Sequence, residues 1–169
     1  MKKFLHVSAL VLISFMVAAA LSNSTVAQVK PEPSANLSKT ERLLKEISST
    51  YTVLKGNNTF LVPFQGKNKK DIEVIIVESD DMIVLFATVS DGKEIEFTPA
   101  LMRKLLEFNM QADHIKVGIS ERGSIDVQLE TFLSWMEPKG FQVVLDQIAA
   151  GANIVSGIVT PFKKSGTVK

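Results

Sequence analysis

The sequence predicts an α+β domain, an antiparallel sheet flanked by helices in the order helix, four strands, helix, hairpin, helix. Three observations carry that prediction. Leu101, Met102, Leu105, Leu106 and Phe108 recur at helical spacing, with Arg103, Lys104 and Glu107 filling most of the other face. After Asp113 the period drops to two: Ile115, Val117 and Ile119 alternate with polar or small residues, Glu121-Arg122-Gly123 turns, and Ile125, Val127 and Leu129 alternate with Asp126, Gln128 and Glu130. On either side of this helix and hairpin lie β-rich runs from Tyr51 to Phe97 and a second helical pattern from Phe141 to Val155.

In chain order, residues 1–27 have the layout of a secretory signal peptide. Lys2 and Lys3 form a basic start, Ala9 to Leu21 is apolar or small apart from Ser14, and Thr25-Val26-Ala27 precedes a cut at Gln28. The apolar run is shorter than the roughly 20 residues of a spanning helix, so cleavage is expected over a permanent anchor. No cysteine follows the run to carry a lipid. Residues 28–37, with two prolines and Ser34 among few apolar residues, read as a linker. A single domain is expected over 38–160, followed by a flexible tail over 161–169.

The domain opens with Ser38-Lys39-Thr40-Glu41, which has capping-box spacing ahead of the apolar face Leu43, Leu44 and Ile47. Ser48-Ser49-Thr50 ends that helix. Tyr51–Leu54 and Thr59–Val62 flank Gly56-Asn57-Asn58, residues that tolerate the positive φ of a tight turn. Pro63 has no N–H to give a ladder, so the second strand is expected to end there or lie at an edge. Gln65 to Lys70 reads as a solvated polar loop. Ile72–Val77 and Met82–Val89, joined by Asp80-Asp81, are the most apolar strands, and runs without strict alternation predict a central position. Asp91-Gly92 is a hairpin signal, with Ile95 and Phe97 alternating against Glu94 and Glu96 beyond it. Thr98 and Pro99 start the central helix. The start of the last helix is open between a Ser134–Glu137 capping box and Pro138 at the first helical position, and Pro161 stops it.

Composition narrows the function. Without Lys2 and Lys3, 17 of the 19 basic residues face 18 acidic ones, a balance of about −1 that gives no support to nucleic-acid binding. With no cysteine, an exported chain of this kind must hold itself by its apolar core, and roughly 140 residues suffice for one. One histidine, His114, follows the signal segment, so neither a Cys–His pair nor a multi-histidine metal site can be assembled. Asp113-His114 reads as a helix-exit turn, and Asp80-Asp81 as a turn without the ligand spacing of a calcium loop. Gly140, Gly151 and Gly157 lack the strand–glycine–helix context of a phosphate loop. No catalytic, cofactor-binding or metal residue is therefore assigned.

The last helix carries a single charge, Asp146, between Phe141 and Val159, and Ala149, Ala152 and Ser156 line one side. Packing on the sheet and a self-association or client-binding surface both fit, while Gln142, Asp146, Gln147 and Asn153 disfavour membrane insertion. Trp135 reads as a core anchor or an interface hot spot.

The stretches Ile72–Val89, Leu101–Ser120 and Gly123–Val155 resemble the YbjN domain family, grouped with bacterial sensory-transduction regulators and similar in fold to class I type III secretion chaperones. Leu105-Leu106-Glu107-Phe108-Asn109, Val117-Gly118 and Glu121-Arg122-Gly123 match its helix end, small strand residue and turn. The resemblance implies the fold and a habit of binding proteins, often as a dimer. It does not carry over a role in type III secretion, because those chaperones are cytoplasmic and acidic. The expectation is an exported, non-enzymatic, chaperone-like or regulatory domain of the bacterial envelope that binds a protein or peptide through a sheet face or edge strand. Tyr51, Phe60, Phe64, Phe86 and Trp135 are the candidate contact residues. A small-molecule carrier with a pocket between sheet and helices, and a self-associating structural envelope protein, are the alternatives.

Overall fold

The computed structural model describes residues 37–54, 56 and 58–164. The expected signal segment, the expected linker as far as residue 36, Lys55, Asn57 and the residues beyond Lys164 lie outside the described residues. Elements follow as α1 (Lys39–Glu46), β1 (Thr52–Val53), β2 (Thr59–Gln65), β3 (Asp71–Ser79), β4 (Met82–Ser90), a 3-10 turn (Gly92–Glu94), α2 (Pro99–Gln111), β5 (Lys116–Ile119), β6 (Ile125–Phe132), α3 (Pro138–Val159) and a 3-10 turn (Thr160–Phe162). The strands form one antiparallel sheet in the order β1-β2-β3-β4-β6-β5.

The apolar runs β3 and β4 take the two middle places, as their lack of strict alternation predicts. Register puts Val62, Val74, Ile76, Leu85 and Leu129 on one face of the sheet, and the buried residues of all three helices join them in one core. α3 lies across β3, β4 and β6 with Phe141, Leu145, Ile148, Ala152 and Val155 inward. Pro138–Phe162 is long and apolar enough to cross a membrane, but here it is the helix that closes the core. Its small residues Ala149, Ala152 and Ser156 are buried, so sheet packing accounts for them. Pro138 sits in the first turn, and Ser134 donates to Asp81 Oδ2 at 2.7 Å instead of capping.

Several expectations need correction. Ser38 Oγ accepts the Glu41 N–H at 3.1 Å, but Glu41 turns to Tyr51 and Lys45, which it meets at 3.0 and 3.3 Å. β2 runs through Pro63 to Gln65. The Leu54 N–H bond to Thr59 O sets the parity, so odd residues of β2 aim their N–H away from β3, and by Pro63 β1 has ended. The missing donor therefore costs no ladder bond. Asp91-Gly92 opens a 3-10 turn rather than a hairpin, and Asp91 Oδ1 accepts the Lys93 N–H at 2.9 Å. Tertiary pairing overrides the local signal: Ile95 bridges to Lys163, the Glu96 N–H reaches Phe162 O at 2.9 Å and the Lys164 N–H reaches Glu94 O at 2.9 Å. That ladder also ties down the first part of the tail expected to be flexible from Pro161.

α2 begins as expected, with Thr98 Oγ1 accepting the Leu101 N–H at 3.2 Å and Pro99 in the first turn. Only Leu101, Leu105 and Phe108 of its apolar positions reach the core; Met102 and Leu106 face solvent. His114 is exposed with φ 63° in the turn leaving α2.

Candidate functional site

With every helix on one face, the sheet's second face is left without a helix among the described residues. Its centre is apolar. Leu61, Ile75 and Phe86 are register partners in one row and Val77 and Val84 in the next, while Met82 and Phe132 pair at the end. Period two explains the arrangement: the odd residues of β3 and the even residues of β4 point away from the helices. Val84 and Phe86 are buried, but neither belongs to the core beneath the helices. Leu61, Ile75, Val77 and Met82 are half-buried, and Phe132 is 46% exposed.

Trp135 extends the apolar area at the β3–β4 turn end. It is 81% exposed, and its ring lies 4.9 Å from that of Phe132. The loop holding it is fixed to the turn, because the Leu133 N–H donates to Asp81 O at 2.7 Å beside the Ser134–Asp81 bond.

Carboxylates surround the apolar rows. Glu73 on β3 and Asp126 and Glu130 on β6 face the same side, and none has a cationic partner among the described residues. Asp126 accepts Thr88 Oγ1 at 2.7 Å and Ser124 Oγ at 2.9 Å, and Glu130 accepts Gln128 Nε2 at 2.6 Å. Lys116 occupies the Gln128 row on β5, but its Nζ donates to Asn109 O at 3.2 Å and Ala112 O at 3.3 Å, the free carbonyls at the end of α2.

Both edges of the sheet are blunted. β1 pairs over two residues, and beyond it β2 presents Pro63, which has no N–H. At the other edge the Asn109 side chain imitates a neighbouring strand: its Oδ1 accepts the Val117 N–H at 2.7 Å and its Nδ2 donates to Val117 O at 3.0 Å. An added strand would have to displace that amide.

Of the five residues singled out in the sequence, the structure brings Phe86 and Trp135 to this side of the molecule. The other three are corrected. Phe60 is fully buried against the helices, with Tyr51 edge-on at 6.1 Å, and Phe64 packs on the same core. Tyr51 donates its hydroxyl to Glu41 Oε1, and burial together with that carboxylate pushes its pKa up to about 12. An aromatic in a strand is assigned to a face only by its register, which Phe60 and Phe64 share with the core positions. Phe132 was missed. Continuing the alternation of β6 past Glu130 puts it on the side of Asp126, Gln128 and Glu130, so the signal was present in the sequence.

The fold is that of the type III secretion chaperone-like α+β proteins, with one sheet face uncovered by helices among the described residues. No protein-family model and no curated protein matches the chain. Among solved structures, it is similar to a chain in the crystal structure of the ExsC–ExsE complex, at 15% identity and a TM-score of 0.54 over 73% of this chain and 95% of that one. It is also similar to YbjN from E. coli, at 12% identity and a TM-score of 0.54 over 82% of this chain and 99% of that one. At these identities the likeness is one of fold.

Proposed function

We propose that this chain is an exported, non-enzymatic, YbjN-like domain of the bacterial envelope that binds a segment of another protein on the open face of its sheet. The observation that carries the reading is the block of Leu61, Ile75, Val77, Phe86 and Phe132 on a face that no helix of the described residues covers. A chain of similar fold occurs in the ExsC–ExsE complex, and this supports a protein partner. The export part rests on the charged, apolar and small-residue layout of residues 1–27.

The test places a photo-cross-linking side chain at Ile75, with a second at exposed Lys139 on α3 as control, in the full chain expressed with its own N-terminus. A discrete cross-linked protein partner from Ile75 and none from Lys139 is expected. Absence of any adduct at Ile75 overturns the reading. The intact mass of the exported protein is expected to begin at Gln28, and a cytoplasmic, full-length product overturns the envelope assignment.

A second reading, self-association, has its own observation. Met102, Leu106 and Met110 recur every fourth residue along α2 and are 38%, 61% and 88% exposed. A homodimer through this stripe is expected to appear in light scattering across a concentration series and to be dissolved by Leu106→Glu. A monomer at all concentrations overturns it.

A further inference from the structure

We infer that the occupant of the open face is a basic amphipathic helix, an inference that rests on the partner-binding reading above. Two features select it. First, backbone pairing at the sheet edges is curtailed, because Pro63 offers β2 no donor at its position and the Asn109 amide already fills both outward groups of Val117. A segment laid over side chains, away from water and from any ladder, must satisfy its own backbone N–H and C=O groups, and a helix does so. Secondly, the face is electrostatically one-sided. Glu73, Asp126 and Glu130 border the apolar rows without cationic partners among the described residues, and Lys116 has turned its ammonium to the end of α2.

The lysines at 67, 69 and 70 lie in the β2–β3 turn, past Asp71 at the end of the sheet, and Lys69 donates to Val89 O at 3.5 Å. Along β6, Asp126 and Glu130 are four residues apart, about 13 Å at the rise of a strand. Lysines two turns apart on a helix, about 11 Å, reach both with their flexible stems. Leucine-like side chains between them would meet Ile75, Val77 and Phe132. Lys and Arg on the flanks would face the carboxylates, which sets orientation and association rate as much as affinity.

The probe is an 18-residue amphipathic peptide of Leu and Lys, compared with a Leu and Glu peptide of equal apolar content. Each carries a fluorophore and is titrated with the Gln28–Lys169 protein by fluorescence anisotropy. The Leu/Lys peptide is expected to bind, to be helical by circular dichroism when bound and to weaken with added salt. Replacing both exposed carboxylates, Glu73→Gln with Glu130→Gln, is expected to weaken it about tenfold, while Val143→Gln on the exposed side of α3 leaves it unchanged. Equal binding of the Leu/Glu peptide, indifference to the two carboxylate changes, an extended bound form or no binding each overturns the inference. A dimer in light scattering that Ile75→Asp dissolves also overturns it, because a second copy then covers the face. The peptide result and the cross-linking result separate the two levels. An Ile75 adduct with no preference for the basic peptide overturns the helix chemistry and leaves partner binding standing; no adduct and no peptide binding overturn both.

Discussion

At the scale of single residues, the tightest constraint is the crossing of two backbones. A Cβ on Gly92 would overlap the carbonyl of Gly123, which itself holds φ 82° in the β5–β6 turn. Gly92→Ala is therefore expected to cost about 3 kcal/mol or more in urea unfolding, whereas Gly118→Ala, with nothing within 4 Å of the new methyl, is expected to stay within about 0.5 kcal/mol of wild type. Asn109→Ala removes both bonds to Val117 and is expected to cost about 2 kcal/mol, with faster amide exchange at Val117 as the second readout. Tyr51 is the chain's one tyrosine, so absorbance titration reads it alone. Its pKa is raised from 10.0 to about 12, first by burial and then by Glu41. A phenol harder to ionise in the folded state than in the unfolded one holds its contribution to stability below pH 10 and loses it as pH rises towards 12. Tyr51→Phe is expected to flatten that alkaline slope.

At the scale of elements, helix α3 does two jobs that its sequence shows only one of. The spacing of Phe141, Leu145, Ile148, Ala152 and Val155 announces a helix with a wide apolar face. Its polar residues looked like interruptions. In the structure two of them hold the β2–β3 turn: Asn153 Oδ1 accepts the Asn68 N–H at 2.7 Å, Asn68 Nδ2 donates to Asn153 O at 3.0 Å, and Ser156 Oγ donates to Asn68 O at 3.3 Å. Asn153→Ala is expected to raise proteolytic nicking within residues 66–70 several-fold with a small loss of global stability, because the turn is released while the core contacts remain. No local pattern couples residues 68 and 153, so this partnership was not legible. α2 shows the reverse case. Its helical character was plain, but Met102 and Leu106 were counted with the buried face, and only the docking of α2 against β5 and α3 separates them from Leu101, Leu105 and Phe108.

At the scale of the whole molecule, the described residues make one layer of helices on one sheet, which leaves a single sheet face for a partner. The chain's one tryptophan reports on its margin. Trp135 is expected to emit at the long wavelength of a water-exposed indole and to shift to shorter wavelength when a partner covers Phe132; no shift on binding would place the partner elsewhere. The element order, the central places of β3 and β4, and the first turns of α1 and α2 were readable in the sequence, because period, caps and turn residues act over a few neighbours. The fate of Tyr51, Phe60, Phe64 and Phe86 was not: all four are aromatics in or beside strands, and their separation into core and open face depends on registers set between distant segments. Local sequence thus determined which segments are helices and strands and which strands are apolar on both sides. Tertiary structure alone decided that the three described helices share one face, that Asn109 and Pro63 blunt the edges, and that Phe86 and Phe132 lie on the same face, because each of these depends on residues far apart in the chain.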